Sequence, residues 1–256
     1  MQADLSNRTI LVTGASSGIG RHFASTAAAC GARVVLAARR TAMLEQTCAA
    51  IDAEHGAGRA LAIAMDVADE ASVIAGFDTA EAAFGEIDSV IANAGIGIGG
   101  SALGLAVEDF DNMFAVNTRG VFLTAREAAR RMIAHRSAER QHGRIVLISS
   151  VTASYIQPGN PVYSASKAAV NQLGRTMARD WASKGVNVNV VCPGYMRTEL
   201  TDDWLEMDKG RALLASFPRG RIMEIDALDP IVLYLCADIS ASVTGSVFTI
   251  DDGQTL

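Results

Sequence analysis

Three polar residues near the middle of the chain have the types and the spacing that proton transfer needs. Ser150 follows an apolar run, Tyr163 stands thirteen residues later, and Lys167 follows Tyr163 by four. Positions i and i+4 share one face of a helix, so the phenol and the ammonium should point the same way. Because a nearby ammonium favours the phenolate, we expect Lys167 to lower the pKa of Tyr163. Tyr163 could then exchange a proton with a carbonyl or alcohol oxygen that Ser150 also binds.

A glycine-rich turn lies near the start of the chain. The apolar run Thr9–Thr13 leads into Gly14-Ala-Ser-Ser-Gly18-Ile-Gly20, and a helical stretch follows directly. Glycines let a backbone approach a phosphate closely, and the start of a helix offers free N–H groups. Glycines alone are a weak signal, but strand, glycines and helix in succession indicate a dinucleotide site. We assign cofactor contacts to Gly14, Ser16, Ser17, Gly18, Ile19 and Gly20.

Two arginines stand where a ribose-binding acid is usual. In NAD sites, an acid about 20 residues after the glycines bonds the ribose 2′-hydroxyl. Here the second apolar run ends in Arg39 and Arg40, and no Asp or Glu lies between Asp4 and Glu45. Guanidinium groups bind phosphate well, so the pair favours NADP(H) over NAD(H). The alternative is that both arginines are solvated residues at a helix start.

Two further segments follow apolar runs and fit the same ligand. Asp66-Val67 comes where an adenine ring would lie, although an Asp after a strand is often the cap of the next helix. Asn93-Ala94-Gly95 would let the chain pass beneath a nucleotide because its residues are small. Each signal is weak by itself.

Short apolar runs alternate with alanine-rich helical stretches along the whole chain. The predicted strands are Thr9–Thr13, Arg33–Ala38, Ala60–Met65, Ser89–Ala92, Arg144–Ser149, Asn187–Val191 and Ser246–Ile250. Helices are predicted near 18–30, 41–54, 69–84, 107–136, 161–184 and 226–237. This alternation predicts one domain over 1–256, an α/β fold with a Rossmann-like doubly wound parallel sheet of about seven strands and helices on both faces. Segment 194–225 has no clear strand, and we expect 194–217 to be a mobile lobe over the substrate.

Composition excludes several classes of protein. The chain has 256 residues, a formal net charge of −6, 50% hydrophobic and 5% aromatic residues, which predicts a soluble globular protein that does not bind nucleic acid. Four cysteines without a C-x-x-C pair predict reduced, buried thiols, and four histidines without ligand spacing predict no metal site. No signal-peptide pattern and no apolar run of membrane-spanning length is found, so we expect a cytoplasmic protein that does not bind membranes.

Together these motifs resemble the short-chain dehydrogenase/reductase family over essentially the whole chain. The family's Asn-Ala-Gly segment has Ala92 here where another Asn is usual. The matching residues are the turn Thr13-Gly14-x-x-x-Gly18-x-Gly20, the segment Asn93–Gly95, the catalytic set Asn117, Ser150, Tyr163 and Lys167, and the turn Pro193-Gly194 with Thr198.

The resemblance implies an NAD(P)-dependent oxidoreductase acting on a carbonyl or secondary alcohol, with Tyr163 as general acid/base. Lys167 would also hold the nicotinamide ribose hydroxyls, and Asn117 would fix a water in a proton relay from Lys167. Pro193, Gly194 and Thr198 would lie at the nicotinamide, with Thr198 touching its carboxamide.

The resemblance bears on the cofactor as well. Ala38 occupies the position of the family's NAD-selecting acid, and an arginine directly after it, here Arg39, accompanies NADP preference. The family's other NADP signal, a basic residue before the second motif glycine, is missing because Ser17 stands there.

The small-molecule substrate is less defined. Tyr155, Tyr195 and Trp204 are expected to line a mixed apolar pocket, or else to pack the lobe or a subunit contact. Gly194–Thr201 mildly resembles sugar-acid 5-dehydrogenases of the family. The alanine-rich helices 107–136 and 161–184 correspond to the family's dimer face, so we expect a homo-tetramer. The ending Asp251-Asp-Gly-Gln254 departs from the usual Asp-Gly-Gly, which we expect to alter subunit packing only.

Three other functions fit parts of the pattern. An NAD-preferring alcohol or sugar-acid dehydrogenase differs in cofactor and substrate alone. A non-catalytic nucleotide sensor would have lost Tyr163 or Lys167, and both are present. A sugar-nucleotide epimerase or dehydratase also uses Y-x-x-x-K but usually carries a larger C-terminal domain.

Overall fold

The chain forms one seven-stranded parallel sheet. The computed structural model describes residues 4–197 and 207–256, apart from the side chain of Lys209. Neighbouring strands pair in parallel in the order β3-β2-β1-β4-β5-β6-β7. The strands are β1 (Thr9–Thr13), β2 (Arg33–Ala38), β3 (Ala60–Ala64), β4 (Ser89–Ala92), β5 (Gly143–Ile148), β6 (Val186–Pro193) and β7 (Val247–Ile250).

Helices connect the strands. They are α1 (Gly18–Ala29), α2 (Thr41–His55), α3 (Glu70–Phe84), α4 (Val107–Phe114), α5 (Val121–Ala134), α6 (Ser137–Arg140), α7 (Pro161–Trp181), α8 (Asp208–Ser216) and α9 (Asp229–Cys236). A π-helical turn (Ala115–Gly120) joins α4 to α5 without a break. The predicted strands and long helices are confirmed, with shifts of a few residues at their ends. The short helix α6 and the π-helical turn were not predicted.

The five inner strands, β2, β1, β4, β5 and β6, are buried because they consist mainly of apolar residues, whereas the edge strands β3 and β7 are partly exposed. Along β1, Leu11 packs with α3, α5 and α7, whereas Ile10 and Val12 pack with α1, α2 and α9. Two apolar cores therefore enclose the sheet, and the predicted doubly wound α/β architecture is confirmed.

The strand order reverses between β1 and β4. The chain runs outward from β1 to β3 on one side, then returns to place β4 against the other side of β1. Such a reversal opens a crevice at the carboxyl ends of the strands, which is where ligands bind in open α/β sheets. The candidate residues of the sequence follow the carboxyl ends of β1, β4, β5 and β6, so the fold gathers them at this edge.

Helix α7 lies unusually close to the sheet. A Cβ atom added at Gly174 would come within 2.4 Å of Val190 Cγ2 on β6, so only glycine permits this approach. The first turns of α7 are thereby brought against the end of β5. None of the helices in the described ranges combines the length and the apolar character needed to cross a bilayer.

Candidate active site

Ser150 and Tyr163 meet at the carboxyl end of β5. Ser150 caps a 3-10 turn, and its Oγ accepts hydrogen bonds from the Thr152 backbone N (3.2 Å) and the Thr152 Oγ1 (3.0 Å). These two bonds leave the serine hydroxyl hydrogen free to act on the phenol of Tyr163 in the first turn of α7, where Ser150 works to lower the pKa of that phenol. The structure thus brings together the two hydroxyls that the sequence singled out.

Lys167 lies one turn farther along α7 and is buried. Its Nζ donates to the Ile148 carbonyl oxygen at 2.9 Å and lies 5.8 Å from the centroid of the Tyr163 ring. Burial lowers the pKa of Lys167 to about 8. Ser149 Oγ donates to the Lys167 carbonyl oxygen at 2.9 Å, which ties this turn of the helix to the end of β5.

The expected fall in the pKa of Tyr163 is wrong for the protein without ligands. Burial raises the pKa of Tyr163, and the hydrogen bond from Ser150, which favours the phenolate, does not outweigh it. The ammonium of Lys167 is directed to the Ile148 carbonyl rather than to the phenolic oxygen. At neutral pH, Tyr163 is therefore a neutral phenol, ready to donate a proton.

Asn117 lies in the π-helical turn and is fully buried. Its Oδ1 accepts from the Ile96 backbone N at 2.8 Å, and its Nδ2 donates to the Ile96 carbonyl (2.9 Å) and to Ser166 Oγ (3.1 Å). Both amide hydrogens are committed to these bonds. The side chain therefore ties the loop after β4 to α7, and a water relay through Asn117 would have to use oxygen atoms.

The glycine turn rests directly on the segment after β4. A Cβ atom at Gly20 would lie 2.5 Å from Asn93 Nδ2, and one at Gly14 would lie 2.8 Å from the Ala94 Cα. Thr13 Oγ1 accepts from the backbone N of both Asn93 and Ala94 at 3.0 Å, and Asn93 Nδ2 donates to the Thr13 carbonyl at 3.0 Å. Thr13 is part of the glycine-turn motif, but its role in joining β1 to the segment after β4 was not predicted. Its signal is a hydroxyl at the last position of an otherwise apolar strand.

The start of α1 suits a phosphate group. Its N-cap residue, Ser17, makes no capping bond, and no acidic residue lies in the first turn, whereas Asp69 caps α3 through the Ala71 N. Gly18 has a φ of 52°, and a Cβ there would meet nothing within 4 Å. Uncapped N–H groups beside open space at a positive helix end fit a dinucleotide phosphate.

Arg40 reaches the glycine turn, and Arg39 does not. The Arg40 guanidinium donates to Ser16 Oγ (2.9 and 3.2 Å) and to Ser17 Oγ (2.7 Å). Arg39 is exposed, and among the described residues its guanidinium has no hydrogen bond or ion pair. The resemblance pointed to Arg39, but it is Arg40 that lies beside the candidate cofactor turn.

Asp66 and Val67 stand after β3 as expected. Asp66 Oδ1 accepts from the Ala68 N at 3.0 Å, so the residue caps a local turn, whereas the cap of the next helix, the alternative that the sequence left open, is Asp69. Val67 is buried against the π-helical turn, since a Cβ at Gly120 would lie 2.7 Å from Val67 Cγ2. Only part of the Asp66 carboxylate is left for a ligand.

The candidate substrate residues differ in their surroundings. Tyr155 is 42% exposed and borders a cavity of about 210 Å³ next to Ser150 and Cys192. Tyr195 follows the turn Pro193-Gly194 at the end of β6. Thr198 and Trp204 lie outside the described residues.

The C-terminal turn holds the segment after β6, which the sequence did not predict. Gln254 Oε1 accepts from the Tyr195 N at 2.6 Å, and Gln254 Nε2 donates to the Tyr195 carbonyl at 3.0 Å. Asp252, with a φ of 52°, pairs with Arg219 (2.8 Å) and Arg221 (2.6 Å). The residues that depart from the usual Asp-Gly-Gly ending, Asp252 and Gln254, therefore make contacts within the subunit.

Two further expectations concerned the cysteines and metal binding. All four cysteines are free, and Cys30 is partly exposed while the other three are buried. At the opposite edge of the sheet, ligand atoms of Glu86, Asp88 and His142 lie within 4.8 Å of one another. Arg140 forms an ion pair with Glu86 there, so this cluster is an ion-pair network in the structure.

Comparisons with known proteins agree with this geometry. The family model described as short chain dehydrogenase matches residues 8–209. A D-threitol dehydrogenase of Mycolicibacterium smegmatis is 34% identical over 252 residues, covering 98% of this chain and 94% of that protein. A 3-oxoacyl-acyl-carrier-protein reductase of Escherichia coli is 34% identical over 245 residues, covering 95% of this chain and 96% of that protein.

A solved structure shows the same likeness in three dimensions. The crystal structure of a gluconate 5-dehydrogenase from Burkholderia cenocepacia, in complex with NADP and tartrate, matches with a TM-score of 0.91 and 33% identity. The match covers 98% of this chain and 96% of that one. Since the family model spans most of the chain and these relatives align with nearly all of it, this protein belongs to the short-chain dehydrogenase family and is an NAD(P)-dependent oxidoreductase.

Proposed function

We propose that this protein transfers a hydride between NADP(H) and a carbonyl or secondary alcohol, with Tyr163 as general acid/base. The observation that carries the proposal is that Ser150, with its hydroxyl hydrogen free, and Tyr163 stand together at the carboxyl edge, with the buried Lys167 one helical turn away. The nicotinamide cofactor, when bound, supplies or accepts the hydride. The protein's own residues position the substrate oxygen and move the proton.

Each side chain has a defined task in the reducing direction. Ser150, oriented by Thr152, donates a hydrogen bond to the carbonyl oxygen and holds it beside the phenol. Tyr163 gives its proton to that oxygen, and burial keeps the phenol protonated until then. Lys167 places a positive charge near the phenolate that results. In the oxidising direction the same proton returns from the alcohol to Tyr163.

Replacing the phenol tests this assignment. We expect Tyr163→Phe to lower kcat by at least about a hundredfold, since the proton donor is lost. The Kd for NADPH, measured by fluorescence titration, should stay within about twofold of wild type because the glycine turn is unchanged. Turnover equal to that of wild type would contradict the mechanism.

The lowered pKa of Lys167 predicts a specific dependence of stability on pH. Between pH 8 and 10.5 the unfolded chain binds more protons at Lys167 than the native protein, so this group makes the free energy of unfolding rise with pH. From pH 8 to pH 10.5, the free energy of unfolding of the wild type should therefore rise by up to about 3 kcal/mol relative to that of Lys167→Met. Urea unfolding at several pH values measures the difference. Lys184→Met, at an exposed lysine, is the control. A difference in the free energy of unfolding between wild type and Lys167→Met that does not change with pH would contradict the shifted pKa.

NADP(H) is the proposed cofactor because arginines and hydroxyls surround the expected position of the 2′-phosphate. Arg40 is already directed toward Ser16 and Ser17, and Arg39 is exposed nearby with freedom to turn inward. The similar gluconate 5-dehydrogenase structure contains NADP, which supports the same choice. Ser16, Ser17, Gly18, Ile19 and Gly20 would hold the pyrophosphate, and Asp66, Val67 and Asn93–Gly95 would border the adenosine.

Charge reversal at the two arginines tests the choice of cofactor. We expect Arg39→Asp and Arg40→Asp each to reduce the preference for NADPH over NADH by about tenfold or more, because each removes a charge-assisted bond to the phosphate. The measurement is a fluorescence titration with both nucleotides. Arg136→Asp makes the same charge change at the far edge of the sheet and should leave the ratio unaltered. An unchanged ratio in both test variants would rule out NADP selection by these residues.

An NAD-preferring alcohol or sugar-acid dehydrogenase remains the second candidate. Ser17 stands where a basic residue would strengthen NADP binding, and two of the relatives are named for threitol and gluconate. Tyr155 and Tyr195 would line the substrate pocket in either case. The proposed substrate lobe, 194–217 of the single domain, contains residues 198–206, among them Trp204, which lie outside the described residues. The four free cysteines fit a reducing compartment, so we propose a cytoplasmic location.

We also propose a homo-tetramer. Val107 and Phe110 on α4 are 69% and 42% exposed, and a groove of about 770 Å³ beside them is lined by Phe114, Phe122 and Leu173. Apolar surface of this extent on two neighbouring helices is typical of a contact between subunits.

Light scattering tests the assembly. The wild type should have the mass of four chains at all but the lowest concentrations, and Phe110→Asp should shift the mass toward smaller species by placing a charge in the contact. A wild-type mass of one chain, independent of concentration, would refute the tetramer.

A further inference from the structure

The phenol of Tyr195 is a buried hydrogen-bond donor without a partner. Its hydroxyl oxygen is shielded from solvent, and no described residue accepts its hydrogen. Buried polar groups in native proteins almost always have a partner, so an orphan at a ligand-binding edge calls for an explanation. Tyr195 stands directly after Pro193-Gly194, at the end of the strand next to the one that carries Ser150.

The structure fixes the direction of this phenol from two sides. The backbone of Tyr195 is held at both its N–H and its carbonyl by the side chain of Gln254, at 2.6 and 3.0 Å. The ring packs on Phe217, with centroids 5.4 Å apart and planes tilted by 38°. A residue held in this way needs little reorganisation to meet a ligand, and its unpaired donor is pre-positioned.

The phenol belongs to the catalytic edge. Tyr195 follows Cys192 by three residues, and Cys192 borders the cavity of about 210 Å³ together with Ser150 and Tyr155. Burial, followed by the electrostatic influence of Tyr155 and Tyr163, raises the pKa of Tyr195 to about 12, so the group is a neutral donor at physiological pH. Its hydrogen is free for another oxygen.

We propose that Tyr195 donates a hydrogen bond to a second substrate oxygen, on the carbon next to the one that reacts, so that the substrate class is a vicinal diol or the corresponding α-hydroxyketone. This inference rests on the proposed function, in which Ser150 and Tyr163 bind the reacting oxygen. A bound substrate with a single oxygen would leave the phenol of Tyr195 without a hydrogen-bond partner. Sites built to bond a substrate hydroxyl reject analogues that lack it, and the discrimination can be large.

Paired substrates that differ by one hydroxyl test the inference. We expect the wild type to oxidise butane-2,3-diol with a kcat/KM at least tenfold above that for butan-2-ol. In the reducing direction, kcat/KM for 3-hydroxybutan-2-one should exceed that for butan-2-one by a similar factor. Tyr195→Phe keeps the ring on Phe217 and removes the donor. It should lower kcat/KM for the two-oxygen substrates at least tenfold and change the one-oxygen substrates less than twofold, which brings both ratios near one.

Two further variants separate substrate bonding from a general structural effect. Tyr234→Phe makes the same change on α9 and should leave both ratios at their wild-type values. Gln254→Glu keeps the acceptor for the Tyr195 N but loses the donor to its carbonyl. As a positioning change, it should raise KM for the diol more than it lowers kcat.

The failures are distinguishable. If thermal unfolding shows that Tyr195→Phe is folded and the variant keeps the wild-type ratios, the inference is overturned while the proposed function stands. The same conclusion follows if the wild type prefers butan-2-ol. If the wild type turns over none of the four compounds with either NADP(H) or NAD(H), the inference is overturned, whereas the proposed function fails only if no carbonyl or secondary alcohol is turned over.

Discussion

The junction between β1 and β4 is the constraint on which the rest of the site depends. At that point the hydroxyl of Thr13 accepts two backbone N–H groups from the segment after β4, and the glycine turn rests on the same segment with no room for a side chain. Gly95, in the same segment after β4, is equally close to its neighbours, since a Cβ there would lie 3.3 Å from Lys167 Nζ and 3.4 Å from Asn117 Oδ1. The candidate cofactor turn, Asn117 and Lys167 are therefore packed through one strip of small residues.

Burial sets the chemical state of this edge. Both Tyr163 and Lys167 are displaced toward their neutral forms, because the interior penalises charge more than the available hydrogen bonds favour it. Tyr163 is therefore held as a neutral proton donor, while the amine of Lys167 is bonded to a backbone carbonyl and not to the phenol. The carbonyl of Ile148 holds the amine in place, so the end of β5 supplies both Ser150 and the acceptor for Lys167.

Much of this arrangement was predictable from sequence, because parallel strands buried on both faces are apolar runs and their carboxyl ends share one edge. The convergence of Ser150, Tyr163 and Lys167 followed from that rule and from helical spacing. The direction of the Tyr163 pKa could not be predicted, since desolvation depends on what surrounds the phenol. Arg40 was underrated because its contact with Ser16 requires the three-dimensional turn. The bond between Gln254 and Tyr195 joins distant parts of the chain, and no periodicity reports such a pair.

The C-terminal turn that grips Tyr195 through Gln254, and Arg219 and Arg221 through Asp252, has a consequence for how such a protein evolves. These contacts lie outside the two apolar cores, so mutations that remodel them leave the sheet and its small-residue strip intact. Sequence change at this turn can therefore alter the loop that carries Tyr195 while the sheet is retained.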